Sequence, residues 1–179
     1  MAKKETYNIQ LISIQLISIL LITLWVYTAL NKAMDINLFR SQLIMQPFPS
    51  GLAGILIWFL PAIELLVASL LMFSKTKKAG MLLSFLLMLV FTSYVALAVI
   101  GYWENIPCSC GGVLNQLGWK DHLWFNLFFT ALSATGIYLL RQSHRKEGLQ
   151  QAALSGGPAK GQGISHYYLL KFLEPFFDL

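Results

Sequence analysis

Charge is scarce in this sequence. Of its 179 residues, 13 are Lys or Arg and 8 are Asp or Glu, 12% in all, while 56% are hydrophobic. A soluble domain carries about 25% charged and about 45–50% apolar residues. Half that charge cannot coat a globule in water, so a soluble fold is excluded and a membrane fold indicated. Cysteine is nearly absent as well, with two residues, which excludes a disulfide-stapled scaffold and a closed four-thiolate zinc site. The net charge of +5 is not gathered into a basic patch interleaved with aromatics, so nucleic acid is not the expected partner. The length fits one helical domain with a tail.

What is present is hydrophobic length. A bilayer core takes roughly 20 apolar residues in helical form, because each backbone polar group must be satisfied within the segment. Four segments qualify, at about 9–30, 52–73, 80–102 and 123–140, and none of them contains Lys or Arg. The expected fold is therefore all-α, a four-helix transmembrane bundle over residues 1–147. The first segment follows Lys3 and Lys4 as a signal peptide would, but it is longer than a signal core and no small-residue cleavage site follows Leu30. It reads as a retained helix in which Gln10, Ser13, Gln15 and Ser18 hydrogen-bond to neighbours.

Basic residues set the expected direction. Lys3 and Lys4 precede the first segment, Lys75, Lys77 and Lys78 join the second to the third, and Arg141, Arg145 and Lys146 follow the fourth. The other side has Lys32, Arg40 and Lys120, offset by Asp35, Glu104 and Asp121. The positive-inside rule places both termini in the cytoplasm and the stretch "PCSCGG" outside. In the first outer loop Asp35 can cap a short helix on which Ile36, Phe39 and Leu43 share one face. That helix is expected to lie on the membrane or fold over the bundle, as a connector or as a lid, and to be ended by Pro47 and Pro49. Residues 148–179 form a Gly-rich linker and an aromatic tail, "ISHYYLLKFLEPFFDL". The tail is too short to span and is broken by Pro175, and it reads as an interfacial helix, a docking segment or an addition foreign to the natural domain.

Both cysteines stand in "IPCSCGG" with one residue between them. A structural disulfide there closes almost no loop and stabilises little. Two thiolates with His122 as the nearest imidazole do not complete a zinc site, although a two-thiolate Cu(I) site is conceivable. Reversible redox chemistry is the third reading: a C-x-C bridge closes a small strained ring, and strain makes a disulfide a better oxidant. Gly111 and Gly112 let a partner chain approach, and Pro107 stiffens the entry to the pair. Two unreactive loop cysteines are the bland alternative. Re-oxidation needs an acceptor, and quinones dissolve in the bilayer. Trp103, Trp119, Trp124 and His122 are expected at that mouth, where Trp is also simply enriched as an interface belt.

Inside the spans, Glu64 is the anomaly. A carboxylate at mid-helix is expensive and should face the bundle interior, protonated or hydrogen-bonded. Thr92, Ser93, Tyr94 and Thr130 are the partners at similar depth, and Asn126 is a second buried polar candidate. Glu64, His122 and Asn126 are the expected quinone or proton-relay residues, with helix-tying as the structural reading of Glu64.

Taken together, "NKAMDINLFRSQL", "LPAIELLVASLLMF" and "PCSCGG…LGWKDHLWFN" resemble the MauE branch of the DoxX-like membrane proteins over about residues 11–140. The resemblance implies a multi-pass protein of the bacterial cytoplasmic membrane, linked to periplasmic disulfide formation or electron transfer. Carried over, Cys108 and Cys110 are the redox pair, and Glu64 and Asn126 match recurrent polar positions. Four-helix thiol oxidases of the vitamin K epoxide reductase kind use quinones with two cysteine pairs; one pair here implies a periplasmic or envelope partner with thiols of its own. The rival expectation is a non-catalytic subunit that scaffolds or helps assemble a larger membrane complex.

Overall fold

A computed structural model describes residues 2–46, 49–102 and 118–154. Its elements are α1 (Ala2–Met34), α2 (Ile36–Ile44), α3 (Ser50–Met72), α4 (Lys77–Val99) and α5 (Trp119–Leu154). Four of them are long and apolar enough to cross a membrane, over Asn8–Met34, Gly51–Met72, Lys77–Val99 and Trp119–Lys146. The all-α, four-helix architecture expected from the apolar runs is the one observed. The chain divides into a unit of residues 1–143, which holds the bundle, and a second unit from His144 onward, whose described part is the end of α5.

The boundaries differ from the expected ones where apolarity and helix propensity part company. α1 runs past Leu30 to Met34 because Asn31, Lys32 and Ala33 tolerate helix and the first stop is Asp35. Lys32 therefore belongs to a span, and the expectation that no span holds a basic residue is corrected. α4 ends three residues earlier than expected. Gly101 takes a positive φ of 75°, and the Tyr102 and Gly101 amides donate to Leu97 O and Ala98 O, both at 3.1 Å. This is the 6→1, 5→2 stop that a glycine after the last turn allows. α5 continues to Leu154 because "RQSHRKEGLQ" is rich in good helix formers although it is polar.

α2 forms as its sequence dictates. Asp35 Oδ1 accepts from the Leu38 amide at 3.1 Å, and Phe39 and Leu43 bury one face against Ala53 and Ile57 of α3. It is folded over the bundle, and it ends at Ile44, ahead of the expected stop at Pro47, which lies outside the described residues.

The core follows helical spacing. Ile17, Leu21, Leu24 and Trp25 of α1 meet Val67, Ala68 and Leu71 of α3 and Met81 and Met88 of α4. Ile12, Leu16 and Ile19 stand on the opposite, exposed face of α1, as a helix in lipid requires. Two glycines set the closest approaches. A Cβ at Gly80 would come 2.9 Å from Leu71 N, so the α3–α4 hairpin closes only over glycine. A Cβ at Gly136 would come 2.8 Å from Met81 Sδ, which brings α5 down onto α4.

Polar side chains tie the helices together at three levels. Gln10 Nε2 of α1 donates to Leu139 O of α5 at 2.8 Å. The Trp25 indole N–H donates to Ser84 Oγ at 2.9 Å, and Ser84 shares a hydrogen bond of 3.3 Å with Ser133, so one thread crosses α1, α4 and α5. Thr92 and Thr130 share another, at 2.9 Å. In hydrocarbon such groups have no water to turn to, and each pairing is worth about 1 kcal/mol.

Candidate functional site

A cavity of about 300 Å³ opens where α1 and α4 end and α5 begins. Its walls are largely apolar, with Leu24, Leu60, Met88, Phe91 and Phe125 among them, and a few polar groups project in. This combination, an oily pocket with sparse convergent polar groups, is what small-molecule sites share, and the volume is at the small end of their range of roughly 300–1,000 Å³.

Glu64, His122 and Asn126 all line it. Each is buried, with relative exposures of 1%, 1% and 5%. Three positions singled out one at a time in the sequence thus share one cavity. α3 supplies Glu64 from mid-span. His122 and Asn126, four residues apart, project from the same face of the first turns of α5.

The partner of Glu64 is not among those expected at its depth. Thr92 pairs with Thr130, Ser93 donates to Leu89 O at 2.8 Å, and Tyr94 donates to Gln46. Glu64 Oε1 is met instead by Lys32 Nζ at 2.6 Å. The ammonium also stands 5.8 Å from the centre of the Phe39 ring, so α2 helps to cover it. Removing two charges from water is costly, and the cost is offset only by close geometry and satisfied hydrogen bonds. The pair meets the first condition and half of the second. Among the described residues, Glu64 Oε2 and Asn126 Nδ2 are the buried side-chain polar atoms without a hydrogen-bond partner. Thr28 lies beside the carboxylate, but its hydroxyl proton goes to Trp25 O at 3.1 Å.

Lys32 escaped the sequence reading because two residues past an apolar run a lysine looks like a loop charge. The signal was nonetheless there: Leu21, Trp25, Thr28 and Lys32 continue one stripe at spacings of four, three and four. Gln46 and Leu43 were missed as lining residues for a similar reason, since α2 was open to reading as a mere connector.

The aromatic expectations divide. Trp119 lines the cavity, whereas Trp124 is exposed on the outer face of α5, as a belt residue would be. Trp103, Cys108, Cys110 and the tail lie outside the described residues. The chain leaves the described region at Tyr102, two turns after the cavity residue Tyr94, and returns at Gly118, one residue before the cavity residue Trp119.

The family model described as Methylamine utilisation protein MauE matches residues 10–139. That span runs from Gln10 to Leu139, the two residues whose hydrogen bond joins α1 to α5. No curated protein and no solved structure matches the chain. With the match covering the whole bundle and four helices fit to cross a bilayer, the chain belongs to the MauE family of multi-pass membrane proteins.

Proposed function

We propose that this protein is a thiol–disulfide oxidoreductase of the bacterial cytoplasmic membrane. It acts on periplasmic or envelope partner proteins through Cys108 and Cys110, with both termini in the cytoplasm. The observation that carries the reading is the largely apolar cavity lined by Glu64, His122 and Asn126, of which His122 follows in sequence five residues after the segment 103–117 that holds both cysteines. Family membership supports a role in methylamine utilisation. The basic residues at 75–78 and 141–146 support the orientation.

In the proposed cycle a partner thiolate attacks one sulfur of the Cys108–Cys110 disulfide, the S–S bond breaks, and a mixed disulfide forms. The partner's second thiolate then displaces the chain's sulfur. The partner leaves oxidised, and Cys108 and Cys110 have gained two electrons and two protons. Returning the pair to the disulfide requires losing the same electrons and protons to an acceptor within the membrane. The cavity fits a quinone as that acceptor: it is largely apolar, and the buried Asn126 Nδ2, a donor without a hydrogen-bond partner, can be met by a quinone carbonyl. A bound quinone would supply a two-electron, two-proton sink. Asn126 would orient its ring, Glu64 would receive an O–H once the ring is reduced, and the His122 imidazole would carry a thiol proton.

Thiol trapping in intact cells tests the reading. Alkylation with a mass tag should find Cys108 and Cys110 cycling between disulfide and dithiol. Cys108→Ser or Cys110→Ser should trap a partner in a mixed disulfide. A pair that stays reduced throughout, with partner oxidation unchanged by the double serine variant, would replace the reading with a scaffolding subunit.

A further inference from the structure

Two orphaned atoms in one cavity specify more than a generic oily ligand. Glu64 commits Oε1 to Lys32, and Oε2 has no hydrogen-bond partner, the nearby Thr28 hydroxyl giving its proton to Trp25 O. Asn126 Nδ2 is left facing no acceptor. Both side chains are more than nine-tenths buried and both line the same space. Buried polar groups in native proteins are almost always paired, and an unpaired one signals something that pairs it. Here the complement is one hydrogen-bond donor and one acceptor, carried on a body that tolerates Leu24, Leu60 and Phe91.

We propose that the cavity binds the reduced, hydroquinone form of a membrane quinone in preference to the oxidised form. The proposal rests on the reading above for the class of ligand; the preference comes from the hydrogen-bond inventory. An ionised carboxylate oxygen accepts and cannot donate, so a ligand pairs with Glu64 Oε2 only by bringing a donor. A hydroquinone brings an O–H, and its phenolic oxygen lone pairs accept from Asn126 Nδ2. A quinone offers acceptors alone. It satisfies Asn126 and sets a carbonyl lone pair against the carboxylate, leaving Oε2 buried and unpaired. Lys32 holds the carboxylate in place through its other oxygen, which makes it a positioning residue for this site. The volume of about 300 Å³ accommodates a substituted ring and the start of a tail.

The test uses the full chain carrying Cys108→Ser and Cys110→Ser in phosphatidylcholine nanodiscs under nitrogen. Removing the thiols separates ligand binding from thiol chemistry. Decylubiquinol, decylubiquinone and dodecanol are titrated in turn. Binding is read by quenching of tryptophan emission, since Trp25 and Trp119 line the cavity, and by competition against the quenching signal for dodecanol. The quinol should bind about tenfold more tightly than the quinone, the worth of one hydrogen bond to a charged group. Glu64→Gln, whose amide can donate to a quinone carbonyl, should bring the ratio to one or below. Asn126→Leu should weaken both forms by a similar factor and keep the ratio, which secures the test if the Glu64 variant fails to fold. Equal or tighter binding of the quinone by the parent protein would overturn the proposal, as would dodecanol binding as tightly as the quinol, or neither ring binding. Because the cysteines are absent, any of these failures leaves the thiol-exchange reading standing. Conversely, failed thiol trapping would leave quinol selectivity standing.

Discussion

Lys32 and Glu64 stand 32 positions apart in the chain, yet Nζ and Oε1 lie 2.6 Å from each other with both side chains at least nine-tenths buried. The contact joins the end of α1 to the middle of α3, and it is a buried ion pair within the bundle. Removing either member strands the other charge in an apolar setting, which costs about 3–5 kcal/mol. Lys32→Met and Glu64→Leu should each lower stability in a reversible detergent unfolding assay by about that amount. The double variant should recover most of the loss, because well-packed apolar residues replace a buried pair at little net cost. Additive losses in the double variant would show that the two residues act independently.

The Trp25–Ser84–Ser133 thread should respond unequally along its length. Ser84→Ala leaves the buried indole N–H without an acceptor, a loss of about 1–3 kcal/mol. Ser133→Ala leaves that bond intact, and Ser84 keeps a donor, so its cost should be about 1 kcal/mol or less. Unfolding midpoints of the two variants, measured side by side, check the order.

Gly80 and Gly136 both sit at close helix approaches, but their neighbours differ in kind. At Gly80 an added Cβ meets backbone, Leu71 N at 2.9 Å and Leu70 C at 3.0 Å. At Gly136 it meets chiefly the flexible end of Met81. Gly80→Ala should therefore destabilise by about 1–3 kcal/mol, the range of overpacking, and Gly136→Ala by less, since a methionine can swing aside. A larger loss at Gly136 would mean that Ile17 Cγ2, 3.2 Å from the added carbon, holds Met81 in place.

Orientation can be read by labelling. In a background with Cys108 and Cys110 replaced by Ser, cysteines placed at the exposed positions Lys78 and Lys120 should lie on opposite sides of the membrane. An impermeant maleimide added to intact spheroplasts should modify Lys120→Cys and spare Lys78→Cys until the cells are lysed. The reverse pattern would move Cys108 and Cys110 to the cytoplasm and remove the oxidising setting the proposed function needs.

Much of this architecture is legible in the sequence because its causes are local. Apolar runs of bilayer length give the spans, and the Asp35 cap with Ile36, Phe39 and Leu43 gives α2. Glu64 and Asn126 stand out because polar groups in a span are rare and costly. Their convergence is a different matter. It depends on how α3 and α5 rotate about their axes, and no local pattern encodes rotation relative to a distant helix. Depth alone nominated Thr92, Ser93, Tyr94 and Thr130 as partners of Glu64; rotation turns them toward other groups. Lys32 was hidden by an assumption about where a helix stops. Apolarity marks the part of α1 that contacts lipid, whereas Asp35 marks the part that is helical, and the four residues between Leu30 and Asp35 contain the cation.

The pairing also constrains how the protein is made. An acidic side chain at mid-helix opposes release into lipid by on the order of 3 kcal/mol on the insertion scale, so α3 leaving the translocon alone carries a handicap that α4 does not. α1 emerges before α3 and already bears the neutralising ammonium. The efficient order of biogenesis keeps α1 beside the exit channel until Glu64 arrives, so that the two segments partition as a hairpin.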